Sequence, residues 1–138
     1  MNHSRLHTIF FQWTAALGAS AVIIGAFGAH GLKPHLSPYQ LEIFEKGVQY
    51  QFVHALALFG TALLMSRNTP NKLLRWSANY FVVGIFLFSG SLYLLACRDL
   101  IPISVAWVGP VTPLGGLCFL GGWITLLLAA KQLQVEST

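Results

Sequence analysis

Apolar and polar positions alternate in long blocks along this chain. Apolar runs cover about residues 8–29, 48–65, 74–97 and 114–130, with shorter, more polar stretches between them. A helix rising 1.5 Å per residue needs roughly 20 apolar residues to cross about 30 Å of hydrocarbon. Each run is near that length. The pattern therefore predicts an all-α integral membrane protein, a compact bundle of four transmembrane helices in a single domain over 1–138. The first run ends in Ala26-Phe27-Gly28-Ala29, whose small residues resemble a signal cleavage site. The run is long enough to span, however, and is read as an uncleaved first helix.

The polar stretches carry helix signals of their own. Lys33-Pro34-His35-Leu36-Ser37-Pro38 reads as a turn, and a helix start follows it. Ser37 is placed as N-cap, Pro38 at the first helical position and Gln40 at the third, which makes a capping box. Leu36 and Leu41 are spaced for a hydrophobic staple. Glu42 and Lys46 form a favourable i,i+4 pair. Residues 38–46 are amphipathic and predict a short interfacial helix, with a bend at Gly47 before the second span. The alternative is one continuous helix of about 45 Å. Residues 66–72 form a polar loop, and Trp76 and Tyr80 stand as interface anchors at the start of the third span. The connector at 100–113 holds Pro102, Pro110, Pro113 and Trp107, and its apolar character predicts that it lies on the membrane.

Composition agrees with this picture. Of 138 residues, 55% are hydrophobic and 9% charged, whereas a soluble domain is typically about 25% charged. The mean hydropathy is +0.64. A formal net charge of +4 raises the question of nucleic acid. The basic residues are scattered between apolar runs with no nucleic-acid motif, so they read as topology signals and contacts to membrane lipids. Arg5, Arg67, Lys72, Arg75 and Lys131 fall on one side of a four-span topology, and Lys33, Lys46 and Arg98 on the other. The positive-inside rule then puts both termini in the cytoplasm.

Small residues mark packing faces. Ala21, Gly25 and Ala29 repeat at four-residue spacing, a ridge suited to a neighbouring span or to a dimer seam. Gly115, Gly116, Gly121 and Gly122 in the fourth run read as close-packing positions. Cys97 and Cys118 belong to no CxxC pair and resemble no zinc site. They read as small apolar residues, or as a disulfide only if both face a non-cytoplasmic space.

Polar side chains inside lipid are costly and are the first candidates for function. They concentrate towards the outer face: His30, Tyr50, Gln51, His54, Ser89, Tyr93 and Thr112, with Ser91 and Asp99 nearby. Gln51 and His54 share a face of the second span by helical spacing, with Tyr50 one turn before His54. Ser89 and Tyr93 share a face of the third. If these faces meet, they form an outward polar pocket. His30 and His54 suit proton carriage, metal ligation or interhelical hydrogen bonds. No third metal ligand stands at matching depth, so no metal or cofactor is expected. No nucleophile, base and orienter can be named around Ser89 or Ser91.

Several segments resemble a known family. They are Gly25-Ala26-Phe27-Gly28-Ala29-His30-Gly31-Leu32, then Gly47-Val48-Gln49-Tyr50-Gln51 with His54-Ala55-Leu56-Ala57-Leu58. Leu87-Phe88-Ser89-Gly90-Ser91-Leu92-Tyr93 follows, then Thr112-Pro113-Leu114-Gly115-Gly116 with Gly122-Trp123. In this order they resemble the signatures of the small membrane proteins of domain-of-unknown-function family 423, related to eukaryotic transmembrane protein 256. The match is weaker over 104–111. The resemblance implies a four-helix inner-membrane protein of bacterial type and no reaction. The expected role is a non-enzymatic structural, accessory or lipid-contacting component, alone, as a homo-oligomer or in a larger membrane complex. The alternatives are a transporter or channel subunit, or a small-ligand binder, using the outward cluster.

Overall fold

The computed structural model describes residues 3–69 and 71–136, so Pro70 of the 66–72 loop lies outside the described residues. Helix α1 (His3–Phe27) runs into a π-helical turn, Gly28–Leu32. Helix α2 spans Pro38–Arg67. The third span is a rod of three pieces: α3 (Lys72–Gly84), a π-helical turn (Ile85–Ser89) and α4 (Gly90–Ala96). Helix α5 covers Val111–Glu136. No strand occurs among the described residues. Four segments are long and apolar enough to cross a membrane.

The start of α2 is built as its sequence predicts. The Ser37 N–H donates to Gln40 Oε1 at 2.9 Å, and the Gln40 N–H donates to Ser37 Oγ at 3.3 Å. Leu36 is buried in a small cluster with Phe44 and Ala96, against which Leu41 packs. The same Gln40 side chain donates from Nε2 to Asp99 Oδ2 at 2.7 Å, tying this helix start to the end of the third span. Asn71 caps α3 in the same manner, accepting from the Leu73 and Leu74 N–H groups. Glu42 and Lys46 are exposed and form no ion pair among the described residues. Long charged side chains in water gain little from such a contact.

The separate interfacial helix is not present. Pro38–Arg67 is one uninterrupted helix of 30 residues, about 45 Å long. Gly47 serves contact instead of bending. It is buried in α2, and a Cβ there would come within 2.8 Å of the Tyr93 ring and 3.3 Å of Leu92 Cβ. The missing side chain lets α4 lie close to α2. The first nine residues of α2 therefore extend beyond a hydrocarbon-length stretch, since Lys46 and Arg67 bracket about 20 residues, or about 30 Å.

The spans pack in chain order. Helix α1 lies on α2, α2 on the third span, and α5 on the third span. The small ridge of α1 faces its neighbour only in part: Ala21 is buried and a Cβ on Gly25 would sit 3.2 Å from Val48, whereas Ala29 is exposed and Gly28 is the buried position of that turn. The core between α2 and α3 is fully buried at Leu58, Met65, Leu74 and Phe81. At the α5 interface a Cβ on Gly115 would fall 2.4 Å from the Phe88 backbone nitrogen. Ser77 Oγ donates to the Gly122 carbonyl at 2.9 Å across the same interface. Helix α5 rests on the third span and meets α2 through side chains, which leaves a cleft between them.

Candidate functional site

Gln51 is the centre of the polar group. It is 3% exposed, and its amide is shared among three spans. Nε2 donates to the Leu17 carbonyl and to Ser20 Oγ on α1, both at 2.8 Å. Oε1 accepts from the Tyr93 hydroxyl on α4, also at 2.8 Å. Ser20 Oγ donates in turn to the Leu17 carbonyl at 3.0 Å. Both amide protons are used, as a buried amide requires.

His54, one turn further along α2, is bound at both ring nitrogens. Nδ1 lies 2.8 Å from the Tyr50 carbonyl, and Nε2 lies 3.2 Å from Trp123 Nε1 on α5. A carbonyl only accepts and an indole N–H only donates. Nδ1 therefore carries the proton, and Nε2 accepts. The ring also stacks on Phe119, centroids 3.5 Å apart at 7°. Tyr50 extends the aromatic layer, stacking on Phe88 at 4.6 Å. Its hydroxyl carries no polar partner among the described residues.

The remaining candidates divide. Ser91 Oγ and Thr112 Oγ1 are 2.7 Å apart and join the third span to the start of α5. Ser89 is fully buried in the π-helical turn, and its Oγ has no hydrogen-bond partner among the described residues. His30 stands exposed in the π-helical turn that ends the first span and is not brought to the group. The expected pocket thus becomes two separate features, a closed junction at Gln51 and an aromatic layer around His54. Among the described residues no three His, Cys, Asp or Glu side chains are grouped to hold a metal ion. Cys97 and Cys118 are free thiols.

The sequence reading passed over Trp123 as a site residue, as well as Phe119, Phe88 and Ser20. In an apolar helix these residue types look like packing or interface anchors. Only the partner helix shows which of them meets His54 or Gln51. Helical spacing signals the Tyr50–His54 turn and the shared faces, and the family-like segments contain Phe88 and Trp123, but neither shows which side chains meet.

The aromatic layer floors the cleft between α2 and α5. Its volume is ≈ 680 Å³, and it runs from Gln49 and Pro113 at one end to Trp123 at the other.

The family model described as a protein of unknown function, DUF423, matches residues 24–116. The chain belongs to this family. The UPF0382 membrane protein YwdK of Bacillus subtilis (strain 168) is 41% identical over 112 residues, covering 81% of this chain and 87% of that protein. The UPF0382 inner membrane protein YgdD of Escherichia coli (strain K12) is 38% identical over 131 residues, covering 95% and 93%. A Staphylococcus aureus relative, the UPF0382 membrane protein SAB0533, is 41% identical over 109 residues, covering 79% and 84%. No solved structure matches significantly. The matched region includes Gln51, His54, Ser91, Thr112 and the α2 side of the cleft, whereas Phe119 and Trp123 lie beyond it.

Proposed function

We propose that this protein is a non-enzymatic structural or accessory component of the bacterial inner membrane, with its intramembrane polar residues acting as fasteners between spans. The observation that carries the reading is the Gln51 junction. Both amide protons and the amide oxygen go to protein partners on α1 and α4, which leaves no donor free for a moving ion. His54 has both nitrogens engaged, so taking up a proton at Nε2 requires breaking the Trp123 bond. Ser91 is bound to Thr112 and to the Phe88 carbonyl, and Ser89 has no base beside it. None of these hydroxyls is arranged as an activated nucleophile. The name of the Escherichia coli relative supports the inner membrane as location.

Gln51→Leu tests the reading, because it keeps side-chain volume and removes all three bonds. Interhelical hydrogen bonds in membranes average about 0.6 kcal/mol each, so the variant should lose about 1–2 kcal/mol. This is read as a lower unfolding temperature in detergent. Proteoliposomes of the wild type should pass protons no faster than empty vesicles. A wild-type proton flux that Gln51→Leu abolishes, with an unchanged unfolding temperature, overturns the fastener role.

A further inference from the structure

We propose that the cleft between α2 and α5 is a binding site for one phospholipid, holding an acyl chain along its length and the phosphate and ester oxygens at Gln49 and Tyr50. The proposal rests on reading the protein as a lipid-contacting membrane component and gives that contact a place. Two observations select the occupant. The first is length. Pro113 and Trp123, on one wall, are ten residues apart, about 15 Å along the helix. That is the hydrocarbon depth of one leaflet, half of about 30 Å.

The second is polarity. Gln49 and Tyr50 lie just past Lys46, the last charged residue before the span, and so stand at the level of lipid ester groups. Neither side chain has a polar partner among the described residues. Below them the walls are Val53, Leu117 and Leu120, and the Trp123 N–H is spent on His54 and the His54 N–H on the Tyr50 carbonyl. One end therefore offers hydrogen bonds and the rest offers none, the polarity of a lipid and not of a soluble metabolite.

Gly116 provides the test. A Cβ there meets only the Phe88 ring, at 3.9 Å, so a larger side chain enters the cleft without displacing the backbone. The control is Gly18→Leu, at a position with nothing within 4 Å. The protein is reconstituted in phosphatidylethanolamine and phosphatidylglycerol vesicles, extracted in mild detergent and weighed by native mass spectrometry. We expect one phospholipid mass per chain in the wild type and in Gly18→Leu, reduced at least tenfold in Gly116→Leu. Leu117→Trp, at a side chain 63% exposed, narrows the same cleft without entering the core. It replaces Gly116→Leu should that variant not fold. Equal lipid retention in wild type and cleft variants overturns the site, as does no retained lipid. A dimer that the cleft variants abolish overturns it in favour of a second copy. The proton-flux measurement is separate, so the site can fail while the accessory role stands.

Discussion

A residue inside a membrane is judged by what its polar atoms meet, and Ser89 and Ser91 show the contrast. They are two positions apart on one rod, and both are buried. Ser91 bonds the Phe88 carbonyl and Thr112, whereas Ser89 Oγ has no partner among the described residues. A buried hydroxyl left unpaired costs about 1–3 kcal/mol, while a satisfied one contributes modestly. Ser89→Ala should therefore leave the detergent unfolding temperature unchanged or raise it, and Ser91→Ala should lower it. The reverse order would show that Ser89 holds a bond of its own. Helical spacing made Gln51 and His54 legible as one face and Tyr93 as a facing hydroxyl. It did not reveal that Gln51 turns to α1 while His54 turns to α5. Spacing orders residues around one helix, and the neighbour is chosen by packing. His30 is left out of the group for the same reason: its place at the end of the span was readable, but its direction was not.

At the scale of the element, glycines set how closely the spans approach. Gly115 and Gly116 are adjacent in α5 and meet different surroundings. A Cβ on Gly115 falls within 2.8 Å of the Phe88 backbone, whereas one on Gly116 meets ordinary van der Waals distance. Gly115→Ala has to push α5 away from the π-helical turn Ile85–Ser89, at the cost of overpacking, about 1–3 kcal/mol. Gly116→Ala should be neutral within error. Detergent unfolding of the two variants side by side checks this, and equal behaviour would show that the α5 interface is looser than described. The sequence identified Gly115 as a close-packing position and marked the α2 cap down to the Ser37 and Gln40 hydrogen bonds, but it gave Gly116 the same packing role although that position opens on the cleft. It did not reveal the π-helical turns, whose residues Ile-Phe-Leu-Phe-Ser carry no local signal for an i→i+5 bond. Nor did it choose between a bend and a straight rod at Gly47. A glycine serves either purpose, and the Tyr93 ring beside it decides for the rod.

At the scale of the whole molecule, an even number of crossings by the four candidate spans would put both ends of the chain on one side of the membrane. Charge then chooses the side. Arg67, Lys72 and Arg75 lie on or beside the connection between the second and third spans, with no acid among them. The connections after the first and third spans divide three basic residues between them, Lys33 and Lys46 in one and Arg98 in the other, and Arg5 and Lys131 add to the side of Arg67. Basic residues near short loops are retained in the cytoplasm, so both termini should be cytoplasmic and the 97–110 connector outside. Cysteine labelling resolves this in a Cys97→Ala, Cys118→Ala background. A membrane-impermeant maleimide should label Ser104→Cys on intact cells and Ser66→Cys only after permeabilisation. Both positions are exposed, so reagent access is equal apart from the membrane. The opposite labelling would invert the chain. Neutralising Arg67, Lys72 and Arg75 together removes the charge excess that sets the direction. If charge alone orients the bundle, both cysteines in that variant should label partly on intact cells. Unchanged labelling would instead assign the orientation to the long α2 overhang, whose Glu42, Glu45 and Lys46 resist burial on either side.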